Sequence, residues 1–223
     1  MKHLAWSYSG LSQFINCPRQ FEAVRVLKSV KESQGEAQLW GEWVHKQFEN
    51  RQRDGTPLPE ELAEHEGYMK QLEALPGKHF CEQKMALNMQ MQPCGFFDHG
   101  VWNRGVLDLV AIEHHIARVV DYKTGKVKPD LKQLALFALF IFHTYPQVTK
   151  CDTTYYWTVD PKKPTEQEFL RGRIPEIWHK FLPDLQQYNE AFKTNTWQPR
   201  QSGLCAGWCP VTECEFWKPK RIK

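Results

Sequence analysis

The sequence predicts an α/β protein, in which helices flank a central group of strands. Apolar residues recur at helical spacing on both sides of residues 78–160, whereas inside that stretch short apolar runs are bounded by turn residues. A chain of 223 residues is also long enough to bury a substantial core. We expect one domain over 1–223, with its core at about 78–160, helices over 9–75, and a packed C-terminal helix and cysteine loop over 165–223.

Composition favours a globular protein in a reducing compartment. Hydrophobic residues make up 41% and charged residues 25% of the chain, which is ordinary for a soluble domain. A net charge of +3 permits a nucleic-acid partner without requiring one. The longest apolar run, residues 134–142, is too short to span a membrane. Seven cysteines, an odd number, and the lack of a secretory signal after Met1 predict a cytoplasmic location and no membrane association.

The N-terminal third is predicted to be helical. A first helix begins near the capping serine Ser9, and Pro18 either ends it or opens a second helix, which puts Cys17 at a helix junction. A long helix covers 36–53 and carries His45 beside its apolar side. A lone histidine in such a place is more often structural than a ligand. A shorter helical segment follows at about 60–75.

The central strands carry isolated acids. A strand at 79–87 has Glu82 near its start, and a strand at 105–112 places Asp108 among aliphatic side chains. A buried aspartate is costly unless it is paired or binds a metal. The next strand, 119–123, returns as the second half of a hairpin. Its Asp121 and Asp108 are therefore expected on adjacent antiparallel strands, close enough to share a cation.

Asp121 and Lys123 are predicted to project from one face of their strand, with Tyr122 on the other. A carboxylate beside an ammonium can hold a metal ion and position a water or an oxyanion. By itself, Asp-x-Lys is more often a surface ion pair. A strongly apolar helix follows at 131–145, with the polar Gln133 in its first turn.

The remaining chain is predicted to hold a strand at 151–159 and mostly helix over 165–194. Cysteines 205, 209 and 214 then lie in a loop with Gly and Pro, at a spacing typical of metal ligands. Cys17, flanked by proline and a basic residue, is the candidate fourth ligand, although the thiols could also pack without a metal. The basic end, residues 218–223, could contact phosphate or remain solvated.

In this order the motifs resemble the PD-(D/E)XK nuclease superfamily. The resemblance is to its RecB-like exonuclease group, which includes CRISPR-associated RecB-like exonucleases, AddB-type nuclease domains and phage exonucleases. Residues 8–21 resemble the group's N-terminal signature with its cysteine, and 41–49 resemble its histidine motif. Residues 105–108 resemble its metal-binding Gly-x-x-Asp, and 121–125 its (D/E)-x-K motif. Gln133 falls where the group has a helix glutamine, although Phe137 replaces the tyrosine that usually follows.

The resemblance implies a restriction-endonuclease-like mixed sheet flanked by helices, and a Mg²⁺- or Mn²⁺-dependent DNA exonuclease. Its implied role is DNA end processing, recombination or repair in a bacterium or a phage, with single-stranded or duplex DNA ends as the substrate and a recombinase or single-strand-binding protein as a partner. The implied catalytic residues are Asp108, Asp121, Lys123 and Gln133. The implied metal ligands are His45, Asp108, Asp121 and the Tyr122 carbonyl, with Glu82 as an additional acid.

The resemblance also implies a metal centre formed by Cys17, Cys205, Cys209 and Cys214. A [4Fe–4S] cluster is expected there, with Zn²⁺ as the alternative, because the spacing of the last three cysteines departs from the group's usual pattern. The sequence lacks the motifs of a P-loop, a zinc protease or a Gly-x-Ser-x-Gly hydrolase. A non-catalytic DNA-binding or assembly protein on the same fold is the second hypothesis, which the intact acids and lysine disfavour.

Overall fold

A computed structural model describes residues 4–32, 34–128 and 130–219 of the chain. The predicted phosphate contact of the basic end falls mainly on residues 220–223, which lie outside these ranges. Across the described ranges, no helix combines the length and the apolar character needed to cross a membrane.

The chain divides into two compact units. One comprises Gly35–Trp178, and the other combines Met1–Gln34 with His179–Lys223. The organisation as one domain remains a prediction. Seven α-helices are assigned in the described residues: α1 Tyr8–Asn16, α2 Pro18–Phe21, α3 Glu36–Asp54, α4 Glu66–Glu73, α5 Lys132–Thr144, α6 Ile174–His179 and α7 Leu182–Thr194.

The larger unit contains a five-stranded sheet in the order β1-β2-β3-β4-β5. Only β3 and β4 run parallel, and the other neighbouring strands run antiparallel. The predicted mixed sheet flanked by helices is therefore confirmed. The strands are β1 Lys78–Asn88, β2 Val101–Glu113, β3 Ile116–Lys123, β4 Lys150–Trp157 and β5 Thr165–Leu170.

Helices α3 and α5 cover opposite faces of β3. Phe48 of α3 packs edge-on against Tyr122, with ring centroids 4.8 Å apart. The neighbouring residue, Asp121, instead accepts a hydrogen bond from Gln133 of α5. Because successive side chains of a strand point to opposite faces, these two contacts assign one helix to each face. The apolar α5 is buried over Leu134–Phe142, as a helix that is hydrophobic all round should be.

Two local predictions were wrong. The cap of α1 is Ser7, whose Oγ accepts a hydrogen bond from the N–H of Gly10 at 3.2 Å, because a cap precedes the first helical residue and Ser9 is already inside the helix. Residues 165–170 form β5 instead of helix. The Glu and Gln of this segment favour a helix, but pairing with β4 at the edge of the sheet overrides that local preference.

Candidate active site

The candidate site lies where β2 and β3 separate. These strands are paired from Leu109–Val120 to Glu113–Ile116, so the ladder ends just before Asp108 and Asp121. Strand β3 continues its pairing with β4 as far as Lys123. The N–H of Tyr122 does not donate to a backbone carbonyl of β2 but to the side chain of a β2 residue, Oδ2 of Asp108, at 2.7 Å. We call the point where β2 and β3 separate, at Asp108 and Asp121, the fork. It brings these two carboxylates into the interior of the unit, at the end of the β2–β3 ladder.

Glu82 of β1 lies opposite Asp108. The pairs on either side, Cys81–Leu109 and Gln83–Leu107, keep one register, which sets Glu82 and Asp108 across from each other. Like charges directly opposite on neighbouring strands are destabilising. Glu82 also has a φ of 49°, a left-handed conformation that is costly for a non-glycine residue. Burial, followed by the negative charge of Asp108, raises the pKa of the Glu82 carboxyl.

His45 completes a three-residue cluster. Its Nδ1 lies 3.2 Å from Oδ2 of Asp108. Burial opposes a charge on the ring, but the hydrogen bond to Asp108 and the charges of Asp108 and Asp121 outweigh burial and raise the pKa of His45. One ligand atom from each of His45, Glu82 and Asp108 lies within 4.8 Å of the others. This donor set, two carboxylates and an imidazole, is compatible with a divalent cation, and the carboxylates are ligands that Mg²⁺ and Mn²⁺ accept.

Asp121 belongs to a second, adjoining network. Nζ of Lys123 forms a close ion pair with Asp121 and also donates to Oε1 of Gln133, at 2.9 Å. Nε2 of Gln133 in turn donates to Oδ1 of Asp121, at 3.2 Å. Burial first, and then the charge of Asp108, raise the pKa of Asp121 to about 7, against the opposing effect of Lys123. A cation near Asp108 would relieve this repulsion.

Both the backbone and the side chain of Lys123 contact residues of and after β4. Its carbonyl accepts a hydrogen bond from the N–H of Thr158, at 2.9 Å, and its Nζ lies 5.1 Å from the centroid of the Tyr155 ring. On the helix side, a Cβ added at Gly41 would lie 3.0 Å from Oγ1 of Thr124. A small residue at position 41 therefore lets α3, which carries His45, approach the loop after β3.

The structure groups the predicted residues differently from the sequence argument. His45 and Asp108 meet as expected, but their third neighbour is Glu82, which the sequence indicated only as an additional acid. Asp121 pairs with Lys123 and Gln133. At Tyr122 the contact with Asp108 comes from the N–H, so the role of its carbonyl remains a prediction. Sequence periodicity could not reveal that Glu82 lies beside Asp108, because that position depends on the β1–β2 register.

The four candidate cysteines line one cavity in the smaller unit: Cys17, Cys205, Cys209 and Cys214. All are free thiols. Burial first, and then the charges of the other three thiols, raise the pKa of Cys209. Backbone N–H groups donate to two of the sulfurs, from Arg200 to Cys17 at 3.5 Å and from Ser202 to Cys205 at 3.4 Å.

Four thiols that line one cavity are a donor set for a metal centre. Their chemistry fits either a zinc ion or an iron–sulfur cluster.

A mixed sheet that opens at paired acids, with a lysine beside them, is the framework of a metal-dependent nuclease. The family model of the PD-(D/E)XK nuclease superfamily matches residues 5–214, and the chain belongs to that superfamily. No curated protein matches the sequence.

Two solved structures resemble the chain at low identity. A candidate exonuclease from Eubacterium rectale aligns with 98% of this chain and 91% of its own, with a TM-score of 0.52 and 11% identity. The protein SSO0001 aligns with 95% of this chain and 85% of its own, with a TM-score of 0.48 and 15% identity. At such identity the first likeness supports the fold alone.

Proposed function

We propose that the protein is a Mg²⁺- or Mn²⁺-dependent exonuclease that hydrolyses phosphodiester bonds at DNA ends. The observation that carries this proposal is the fork between β2 and β3. It places the cluster of His45, Glu82 and Asp108 beside the network of Asp121 and Lys123. Membership of the nuclease superfamily supports the reaction type.

In this proposal His45, Glu82 and Asp108 hold the divalent cation, with Asp121 and the Tyr122 carbonyl as further ligands. The opposed carboxylates of Glu82 and Asp108 fit such an ion, because a bound cation offsets their mutual repulsion while both stay ionised. The bound ion supplies Lewis acidity to the attacking water and to the phosphodiester.

Lys123 acts on the reacting groups directly. Its side chain is 28% exposed, so that Nζ can reach a substrate at the open end of the fork while Asp121 and Gln133 hold it in place. There Nζ orients the water or stabilises the charge that builds on the phosphate oxygens. Gln133 is a positioning residue, since its amide bridges Lys123 and Asp121.

The proposals that DNA ends are the substrate and that the chain is related to the RecB-like group are based on the sequence motifs. The Eubacterium rectale protein, described as a candidate exonuclease, shares the fold. A role in end processing during recombination or repair, with a recombinase or a single-strand-binding protein as a partner, belongs to the same proposal.

The test is cleavage of end-labelled linear DNA with Mn²⁺ or Mg²⁺, compared with closed circular DNA. We expect linear strands to shorten from an end, circles to survive, and chelation to stop the reaction. Lys123→Ala should lower the rate about 10²–10⁴-fold while retaining DNA binding. Lys70→Ala removes an exposed lysine of α4 and serves as the matched control. Cleavage without divalent metal, or full activity of Lys123→Ala, would contradict the mechanism.

We also propose that the four cysteines bind a structural metal centre, with a [4Fe–4S] cluster favoured over Zn²⁺. The two backbone N–H donors to sulfur and the resemblance to the RecB-like group support this preference. Protein purified without oxygen should then be brown, with about four irons per chain, and Cys209→Ser should lose the colour. A colourless protein with one zinc per chain would favour the alternative, and one without metal would refute both.

A further inference from the structure

The connection between β1 and β2 carries an exposed aromatic and basic surface. Phe96 and Phe97 lie edge to face, with ring centroids 5.1 Å apart, and Phe97 is 77% exposed. Lys84 of β1 and Arg104 of β2 flank the rings. We call these four residues the hairpin patch. An exposed Phe beside a second ring and two cations combines the features with which proteins bind single-stranded nucleic acid.

Both cations lie against the aromatic rings. Nζ of Lys84 is 5.7 Å from the centroid of Phe97, and the guanidinium carbon of Arg104 is 5.9 Å from it. Arg104 also donates to the carbonyl of Phe96 at 3.3 Å, which fixes the loop. Neither cation has an acidic partner in the ion pairs of the described residues, and Asp98 of the same loop accepts from the N–H of Gly95. The two positive charges are therefore not neutralised.

The hairpin patch lies on the same face of the sheet as the helix that supplies His45. A Cβ at Gly105 would lie 2.9 Å from the ring of Phe140 in α5, so position 105 points toward α5. The side chain of Arg104 then points to the opposite face, the one that α3 covers at β3. Arg104 precedes Asp108 by four residues, about 13 Å at the usual rise of roughly 3.3 Å per residue.

We propose that the hairpin patch binds a single DNA strand a few nucleotides from the scissile bond, with Phe97 stacking on a base and Lys84 and Arg104 contacting phosphates. The inference rests on the proposed nuclease function and adds a substrate subsite to it. Sequence-tolerant binding of single strands combines these two elements, aromatic faces for bases and a basic track for phosphates. A span of about 13 Å corresponds to no more than about four nucleotides at roughly 3.4 Å per stacked nucleotide.

The two halves of the patch have different signatures in a binding experiment. Fluorescence anisotropy with an end-labelled 12-nucleotide oligothymidylate, in Ca²⁺ and the Lys123→Ala background, reports binding without turnover. Phe97→Ala should raise Kd roughly 5- to 100-fold and leave the salt dependence unchanged, and Phe97→Trp should restore binding. Arg104→Gln should lower the slope of log K against log salt by about 0.7, the value for one phosphate contact on a single strand.

Two controls isolate the patch from general effects. Met89→Ala removes another exposed apolar side chain of the same connection, 59% exposed, and should bind like the parent. Lys70→Ala removes an exposed charge in α4 and should keep the salt slope of the parent. The subsite is refuted if Met89→Ala raises Kd as much as Phe97→Ala does. It is also refuted if Lys70→Ala lowers the salt slope as much as Arg104→Gln does.

Turnover separates a failure of this inference from a failure of the proposed function. In the otherwise unmodified enzyme, Phe97→Ala should lower the ratio of kcat/KM for the 12-nucleotide strand to that for a dinucleotide by the same 5- to 100-fold. A parent enzyme that cleaves both substrates, with no change in this ratio, refutes the patch alone. A parent that cleaves neither refutes the nuclease proposal, and the binding experiment then decides the patch separately. Concentration-dependent self-association that Phe97→Ala abolishes, without a change in DNA affinity, would assign the patch to a protein interface.

Discussion

Replacing Asp121 by Asn should make the metal-free protein more stable, although it removes a residue of the proposed active site. The Asp121 carboxyl is 3% exposed and shares the fork with Asp108. The pKa of Asp121 is raised from 3.8 to about 7, because burial and then the charge of Asp108 disfavour its ionised form. Asparagine keeps the size of the side chain and cannot ionise, so it removes the free-energy cost of a buried negative charge beside Asp108.

The sign and size of the effect follow from the pKa values in the two states. Well below the unfolded pKa of 3.8 the carboxyl is protonated in both states and contributes nothing. Between about pH 4 and 7 the unfolded chain releases the proton while the folded protein keeps it, so the free energy of unfolding falls as pH rises. Each unit of pKa difference is worth about 1.4 kcal/mol, which gives Asp121→Asn an advantage of at most about 4 kcal/mol at pH 8.

Urea unfolding of wild type and Asp121→Asn with EDTA, at pH values from 4.5 to 8.5, measures this difference. We expect the variant's advantage to grow with pH and level off above about pH 7.5, and Mn²⁺ to reduce it at pH 8 by stabilising wild type. Glu61→Gln removes an exposed carboxylate and serves as the matched control. A difference that does not depend on pH, or a variant less stable than wild type at pH 8, would show that the two acids are not in conflict.

Three further substitutions test the site and the sheet. Gln133→Ala should lower kcat about 10-fold or more with little change in KM, because Lys123 loses its positioning partner. Glu82→Gln should weaken Mn²⁺ binding in calorimetry by roughly 10- to 100-fold, since it removes the charge of one proposed ligand. Gly105→Ala should destabilise the protein by about 1–3 kcal/mol in urea, because its methyl group meets a buried ring of α5, whereas Gly67→Ala in α4 has open space and should add up to about 1 kcal/mol.

The periodicity of apolar residues and the positions of turn residues were sufficient to predict most of the helices and strands. The α3 helix was predicted at 36–53 and is observed at Glu36–Asp54, where Gly55 with φ 70° ends it. The hairpin of β2 and β3 was predicted from two apolar runs around a polar turn, and is confirmed. The segment at 165–170 was wrong because its strand conformation comes from pairing with β4, a contact distant in sequence.

The site was less accessible to sequence reasoning than the fold. Local patterns made Asp108, Asp121 and Lys123 candidates, because an acid among aliphatics and an Asp-x-Lys at a strand end are visible in the sequence, and their catalytic roles came from the family resemblance. The pairing of Glu82 with Asp108 depends on a register of two strands. The hairpin patch was missed for a related reason, although two adjacent phenylalanines in a Gly- and Asp-containing loop were a visible signal. Only the sheet register shows that Lys84 and Arg104 meet them.

The fork explains why the costly features of this unit occur together. A continuous β2–β3 ladder would use the N–H of Tyr122 in the sheet, whereas the fork leaves it to hold Asp108 in the interior. That position produces the repulsion with Asp121 and faces Asp108 toward Glu82, whose φ is strained. Each of these features lowers the stability of the metal-free protein, and a cation bound between the carboxylates relieves the electrostatic part of the cost. Metal binding and folding should therefore be coupled, and the coupling should weaken in both Asp121→Asn and Glu82→Gln.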